Sequence, residues 1–330
     1  MAKGNCLTQN ISYRPAIEGL RDLKMSTDLV ATTAKIEIPG PDGKKSDICN
    51  LIYTSDEGTA LTDGHCTFEC LNQKRVFRRK SPGIYVVDKE LMNEVTCKMQ
   101  INGVEREVQV LATNDCPLHA TYYNGNECPN VDYALIKIKG GLGDKDKCAT
   151  VPRNASGQPP TKVASVQYTG KPTSRSTFQR NAMEGRGTAV DVTHGEVIPP
   201  QENCETQDDL QRGQSRTLNF PKSDDVRAIM NLARTGRLLQ TTVDMTNGSS
   251  GSGLFATETS DLVGLSSLFL RWNPEGGEMH GFTHECRGAT FFTPIGEILK
   301  DIKTNYPNLR LDEVLRCDSR RISGAAPNAI

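Results

Sequence analysis

Three observations predict an all-β fold of barrel or sandwich type, built in two halves and finished by one helix. Short apolar stretches bounded by turn residues recur along the 330 residues at the spacing of barrel or sandwich strands. Helical periodicity is nearly absent until about residue 294. The composition breaks once, at 140–160, where Gly, Asp, Lys and Pro dominate and Asn154-Ala155-Ser156-Gly157-Gln158-Pro159-Pro160 reads as an exposed connection between domains. A hydrophobic fraction of 36% with only 5% aromatics suits a β-rich chain with many loops, and the length holds two small β domains or one large one.

Taken in order, residues 1–29 are polar with scattered apolars and precede any clear strand, so they read as an N-terminal extension. Ala34 to Ile38 alternates like a half-buried strand, and Pro39-Gly40-Pro41-Asp42-Gly43 is dense turn chemistry. Ile48 to Thr54 and Thr59 to Thr62 read as a hairpin leading to His65. Ile84 to Val87, Thr96 to Ile101 and Val108 to Leu111 continue the short strands, and Asp132 opens another over Tyr133 to Ile138. Beyond the break, Val163 to Tyr168 and Gly187 to Val192 restart the pattern, while 199–225 is polar and irregular, an insertion. Leu238 to Val243 leads into a Gly/Ser loop, Leu254-Phe255 leaves it, and Leu262 to Leu270 is a strongly apolar strand. The exception to strand periodicity runs from Pro294 to Lys303. Thr293 is placed to cap a helix there, Pro294 suits its first turn, and Ile295, Ile298, Leu299 and Ile302 share one face.

The loop Thr246-Asn247-Gly248-Ser249-Ser250-Gly251-Ser252-Gly253-Leu254-Phe255 sets hydroxyls among glycines just before an apolar run. A Gly/Ser linker has the same composition, but the apolar residues that follow argue for a loop carrying a nucleophile. Gly248 permits a tight turn beside the serine and Gly251 permits close approach of a substrate carbonyl, which makes Ser250 the candidate nucleophile. A serine needs a base and the base an orienter. Leu61-Thr62-Asp63-Gly64-His65-Cys66 supplies a histidine, and Val131-Asp132-Tyr133-Ala134-Leu135-Ile136-Lys137-Ile138 an aspartate. Each has a bland counterpart, a surface histidine and an aspartate that merely starts a strand. The histidines at 119, 194, 280 and 284 lack the Gly-His-Cys context, and no serine carries glycine at both positions two residues away, as the elbow of an α/β-hydrolase would require.

These three segments, in the order His, Asp, Ser, resemble the trypsin-like serine proteases of chymotrypsin fold, with Gly248-Ser249-Ser250-Gly251-Ser252 most similar to the V8-like, glutamyl-endopeptidase branch. Gly288-Ala289-Thr290-Phe291-Phe292 is similar to that branch's strand before the last helix, and the resemblance spans about residues 30 to 304. It implies two six-stranded antiparallel β-barrels with the active site between them and a C-terminal α-helix packed on the second barrel. The corresponding division is 1–29 extension, 30–150 N-terminal barrel with His65 and Asp132, 151–305 C-terminal barrel and helix with Ser250, and 306–330 tail. It further implies a serine endopeptidase whose oxyanion hole is the N–H groups of Gly248 and Ser250, with protein or peptide substrates and proteinaceous inhibitors as partners and no cofactor. Asp244, six positions before Ser250, sits where trypsin-like enzymes carry the carboxylate that selects Arg or Lys, and Ser267 and Phe269 fall on the pocket-wall strand. An Asp244 pointing to solvent would remove that preference. The V8-like branch prefers Glu through a histidine on that same strand, which this chain lacks. Ser249 and Gly253 depart from the family's usual acidic residue or Asn and its usual proline, and no Ile-Val-Gly-Gly-like start exists to serve the trypsin activation latch. A silent member of the family acting as a binding module is the alternative function.

Eleven cysteines without a Cys-x-x-Cys pair read as disulfides of an oxidising compartment rather than as a zinc framework, so no metal site is expected. The resemblance points to Cys49–Cys66, with Cys70 as a rival partner for Cys49, while Cys116 and Cys128 bracket a local loop. A net charge of −1 gives no footprint for nucleic acid or an anionic membrane, and no run of about 18 apolar residues exists to span a bilayer. The first residues lack an apolar signal core, so secreted or periplasmic placement would require a signal already removed. Asn10, Asn154 and Asn247 head glycosylation sequons, the last of them inside the nucleophile loop.

Overall fold

The computed structural model describes residues 14–39, 46–81, 84–93, 95–114, 131–152, 159–168, 190–198, 232–243, 245, 248–270 and 289–318. Its first strand, β1 (Arg14–Pro15), and the short helix Ala16–Asp22 join the second half of the molecule, as set out below. From Thr33 the expected alternation holds. β2 (Thr33–Pro39) buries Ala34 and Ile36, while Lys35 and Glu37 stay partly exposed and pair with each other. After β3 (Ser46–Tyr53), β4 (Thr59–Thr62), β5 (Phe77–Ser81) and β6 (Ile84–Val87), the hairpin of β7 (Thr96–Ile101) and β8 (Val104–Thr113) turns at Asn102 and Gly103. Both turn residues have positive φ, +50° and +77°, as a two-residue type I′ turn requires. With β9 (Ala134–Ile138) the strands β2-β3-β4-β9-β8-β7 close into a barrel, which removes every edge, and β5 and β6 pair as a separate hairpin.

The second half is a single sheet of β10 (Lys162–Tyr168), β11 (Val190–Glu196), β12 (Leu239–Thr241), β13 (Gly253–Ala256), β14 (Leu262–Leu270) and β15 (Ala289–Pro294), together with β1. Its order is β1-β11-β10-β13-β14-β15-β12, and it is not a closed barrel. The expectation of a second six-stranded barrel is corrected here. β12 has only three residues, too few for a full ladder, and it meets the end of β11 through the isolated pair Val197 and Thr241. Two flanking backbone bonds, Thr242 N–H to the Glu196 carbonyl and Ile198 N–H to the Gln240 carbonyl, complete that contact. Period-two alternation gives the sheet two buried faces. Val163, Leu239, Leu254 and Phe292 cluster on one side, while Ala164, Val166, Phe255 and Leu265 join the core shared with the first barrel.

The first 29 residues are not wholly a separate extension. β1 pairs with β11, and Gly19 of the following helix lies so close to Val192 that a Cβ there would come within 2.1 Å of its Cγ1. At seven residues that helix is too short to show periodicity, as are the helices Phe68–Gln73 and Lys89–Asn93.

The C-terminal helix spans Ile295–Asn305 and buries the expected Ile295, Ile298, Leu299 and Ile302, each worth about 1.5 to 3 kcal/mol. Thr293 does not cap it. That residue is the penultimate one of β15, its hydroxyl buried without a partner, and Pro294 takes the cap position with no side-chain bond. Nor does the helix pack on the second sheet alone. Asp301 accepts from the Tyr133 hydroxyl at 2.7 Å, and Tyr306 just beyond it donates its hydroxyl to the Thr113 carbonyl at 2.7 Å, both on the first barrel.

Three disulfides occur among the described residues: Cys49–Cys66 as expected, Cys70–Cys97, and Cys148–Cys317. Cys70 therefore pairs with β7 and not with Cys49. Cys116 and Cys128 lie outside the described residues, as do the connection around 154–158 and the insertion at 199–225.

Candidate active site

Strand register alone brings the histidine and the aspartate together. β4 pairs with β9 so that Thr62 faces Ala134, which places the turn after β4 beside the residues just before β9. That turn is the short 3-10 segment Gly64–Thr67 carrying His65, fixed from behind by Cys49–Cys66. A bridge closing a loop of this size contributes about 3 kcal/mol. Asp132 is fully buried. Its Oδ2 lies 2.7 Å from His65 Nδ1, and its Oδ1 accepts from the backbone N–H of Gly64 at 2.7 Å and of His65 at 3.3 Å. Gly64 is required by close approach, because a Cβ there would stand 2.3 Å from Asn114 Oδ1 and 2.9 Å from Asp132 Oδ1.

Burial works against the charged form of His65, yet the Asp132 charge and its hydrogen bond push the pKa up to about 9. An unperturbed histidine titrates near 6.5, about where the sequence alone would put it. Its side chain remains 37% exposed, open to a reactant on the side away from Asp132.

The Gly/Ser loop that carries Ser250 is docked onto this same turn. The Ser250 carbonyl accepts from Asn50 N–H at 2.6 Å, and Gly251 N–H donates to Asp63 Oδ2 at 2.8 Å. Gly248 adopts φ of +91°, in keeping with the tight turn expected of it, while Gly251, at φ of +78°, is closely approached by the Asn50 carbonyl and Thr62 of the chain itself. Within the loop the Ser249 carbonyl accepts from Ser252 N–H, from the Ser252 hydroxyl and from the Ser266 hydroxyl, and Ser266 in turn accepts from Ser252 N–H. These bonds fix the backbone on both sides of Ser250, which is itself half-buried.

Two participants went unnoticed in the sequence. Asn50, next to Cys49 and fully buried, donates to the Gly248 carbonyl at 2.8 Å and clasps Tyr168 of β10 through both its amide N–H and carbonyl. It thereby ties the first barrel, the second sheet and the proposed oxyanion loop at one point. Asp63, two residues before His65, was passed over because nothing in its neighbours Thr62 and Gly64 marks its carboxyl as buried. Of the specificity candidates, Asp244 lies outside the described residues, as does the Phe269 side chain. Ser267 sits half-buried at a bulge in β14, where the register shifts between Ser266 and Leu268. Other His/Cys/Asp/Glu groupings among the described residues involve disulfide cysteines, at Cys49 with His65 and Cys66 and at Asp56 with Cys148 and Cys317.

Gly251→Ala is expected to disable the loop. The new Cβ would fall 2.1 Å from the Asn50 carbonyl oxygen and 2.5 Å from Thr62 Oγ1, on a backbone that side chains rarely adopt. A displacement of about 1 Å at a reacting group costs on the order of 10²-fold in rate. Far-UV circular dichroism should stay that of wild type while turnover falls by that factor or more.

No protein-family profile matches this chain, and no curated protein matches it. Among solved structures it is similar to an inactivated protease paralogue, S-I1, of the scabies mite, at 15% identity and a TM-score of 0.45, over 87% of this chain and 98% of that one. Nothing in these comparisons supports the V8-like branch.

Proposed function

We propose that the chain is a serine endopeptidase acting through His65, Asp132 and Ser250. The observation that carries this reading is the aspartate to imidazole bond of 2.7 Å, with the other carboxylate oxygen locked by two backbone N–H groups, next to a serine loop bonded to the same turn. In this reading Asp132 holds the imidazole with its proton on Nδ1, leaving Nε2 to take the Ser250 proton as Oγ attacks a peptide carbonyl. The protonated imidazole then gives its proton to the leaving amine, and water releases the acyl group by the same steps in reverse roles. The N–H groups of Gly248 and Ser250 stabilise the developing oxyanion, with Asn50 fixing the Gly248 carbonyl beside them. Cleavage after Arg or Lys rests on the sequence position of Asp244, with Ser267 and Phe269 on the pocket wall. The three disulfides support an extracellular or periplasmic setting. Among the described residues no helix is long and apolar enough to cross a membrane.

A fluorophosphonate probe tests the reading. A covalent adduct mapped to Ser250 in folded protein supports it, and folded protein that takes no adduct sinks it. One observation favours a silent binding module instead. An imidazole with its pKa pushed up to about 9 is roughly 1% neutral at pH 7, a poor resting base.

The same observation sets an expected pH profile. Only neutral imidazole accepts a proton, so kcat/KM rises with pH and levels off above the His65 pKa, giving a limb centred near pH 9. A plateau already complete at pH 7 would show that Asp132 does not hold the imidazole protonated.

A further inference from the structure

Asp63 and Asp132 flank His65 from two directions, and one ligand atom of each of the three side chains lies within 4.8 Å of the others. Two carboxylates that close in a buried site cannot both keep a charge cheaply. Which of them keeps it is decided by the donors each receives. Asp132 accepts from three N–H groups, those of Gly64 and His65 in the backbone and His65 Nδ1. Asp63 accepts from one, Gly251 N–H on Oδ2, while its Oδ1 is buried with no partner. An anionic oxygen without a donor is the costlier arrangement, so the negative charge belongs to Asp132 and the proton to Asp63 Oδ1.

We propose that Asp63 is a positioning residue: an uncharged carboxylic acid whose carbonyl oxygen latches the nucleophile loop, through Gly251 N–H, to the turn that carries His65. Its kinetic part rests on the hydrolase reading, while its protonation state does not. The ionisable groups facing Asp63 among the described residues are Asp132, before β9, and His65, on its own turn; the nucleophile loop meets it with a backbone amide. Burial first, and then the Asp132 charge, raise its pKa well above the usual carboxylate range, against smaller lowering from His65 and the Gly251 bond. The unfolded chain, by contrast, releases this proton near pH 3.9. The stability tied to Asp63 is therefore complete below about pH 4 and is lost progressively as the pH climbs toward the folded pKa.

The experiment compares wild type with Asp63→Asn, which keeps a carbonyl acceptor for Gly251, and with Asp63→Leu, which has none. Carboxyl carbon resonances of aspartate-labelled wild type should include a protonated aspartic acid at pH 7 that is missing from Asp63→Asn. The Tm of Asp63→Asn minus that of wild type should rise steadily as the pH climbs from about pH 4 toward the folded pKa of Asp63. Acylation of Ser250 by a fluorophosphonate should persist in Asp63→Asn with its pH midpoint unmoved, and should fall about tenfold or more in folded Asp63→Leu. Were Asp63 ionised, its charge would be helping to hold His65 protonated, and Asp63→Asn would shift that midpoint to lower pH. Such a shift, the absence of a protonated aspartate signal, or a flat Tm difference would each overturn the proposal. Wild type that shows the protonated aspartate and the sloping Tm difference but takes no label would uphold the neutral acid and sink the hydrolase reading instead.

Discussion

Replacing Ser250 or His65 by alanine is expected to lower kcat by about 10⁶, and replacing both is expected to lower it little further. In the proposed mechanism the two side chains act in a single step, so removing either would abolish the same transition state. The structure makes the experiment clean. Asn50 and Asp63 hold the loop by its Ser250 carbonyl and Gly251 amide, not by the Ser250 hydroxyl, and the His65 turn is fixed by its disulfide and by Asp132 through backbone N–H groups. Ser250→Ala therefore leaves the scaffold undisturbed and its thermal melt unchanged, whereas His65→Ala also strips the buried Asp132 Oδ2 of its imidazole and should melt lower while remaining folded. Losses that simply multiply in the double variant would mean the two residues do not work on one proton.

Asp132→Asn is expected to cost about 10⁴ in kcat while leaving the fold intact. The reason lies in which side of the carboxylate is committed. Oδ1 accepts two backbone N–H groups, so an asparagine must put its carbonyl there and turn its amide toward His65 Nδ1. That amide is a donor. It forces the ring proton onto Nε2, where the imidazole can no longer accept from Ser250. Measured across pH, the variant should also lose the elevated limb, because the charge that props up the His65 pKa has gone. Full activity in Asp132→Asn would remove the residue from the mechanism.

Much of the first barrel could be read before any coordinates, because its inward strands are short alternating runs whose burial follows period two, as in Cys97, Met99 and Ile101 of β7. The second sheet was legible strand by strand but not as a whole. Closure depends on how far β12 reaches along β11, a length that no local pattern encodes. The destination of the N-terminal segment was hidden for a related reason. Two strand residues and seven helical ones carry no periodicity, and their place beside β11 is set by a glycine packed on Val192. At the candidate site, His65 and Asp132 do meet, and the loop carrying Ser250 is bonded to the same turn, a juxtaposition that their recognisable neighbours suggested. Asn50 and Asp63 were missed because their roles arise from backbone groups far along the chain, Tyr168, Gly248 and Gly251, which sequence adjacency does not reveal.

The Cys148–Cys317 bridge spans 169 positions and encloses the whole of β10 to β15 and the terminal helix in one covalent ring. Under tension, the protein would carry load along a short circuit. A pull applied at Arg14 and at Asp318 would peel β1 from β11 and could unravel the first barrel, but it would pass from Cys148 straight to Cys317. Roughly 560 to 610 Å of chain would never be paid out. A single protease nick inside that ring would likewise leave the two new ends tethered, so the half that carries Ser250 is both the mechanically shielded half and the one that stays in one covalent piece after one cut.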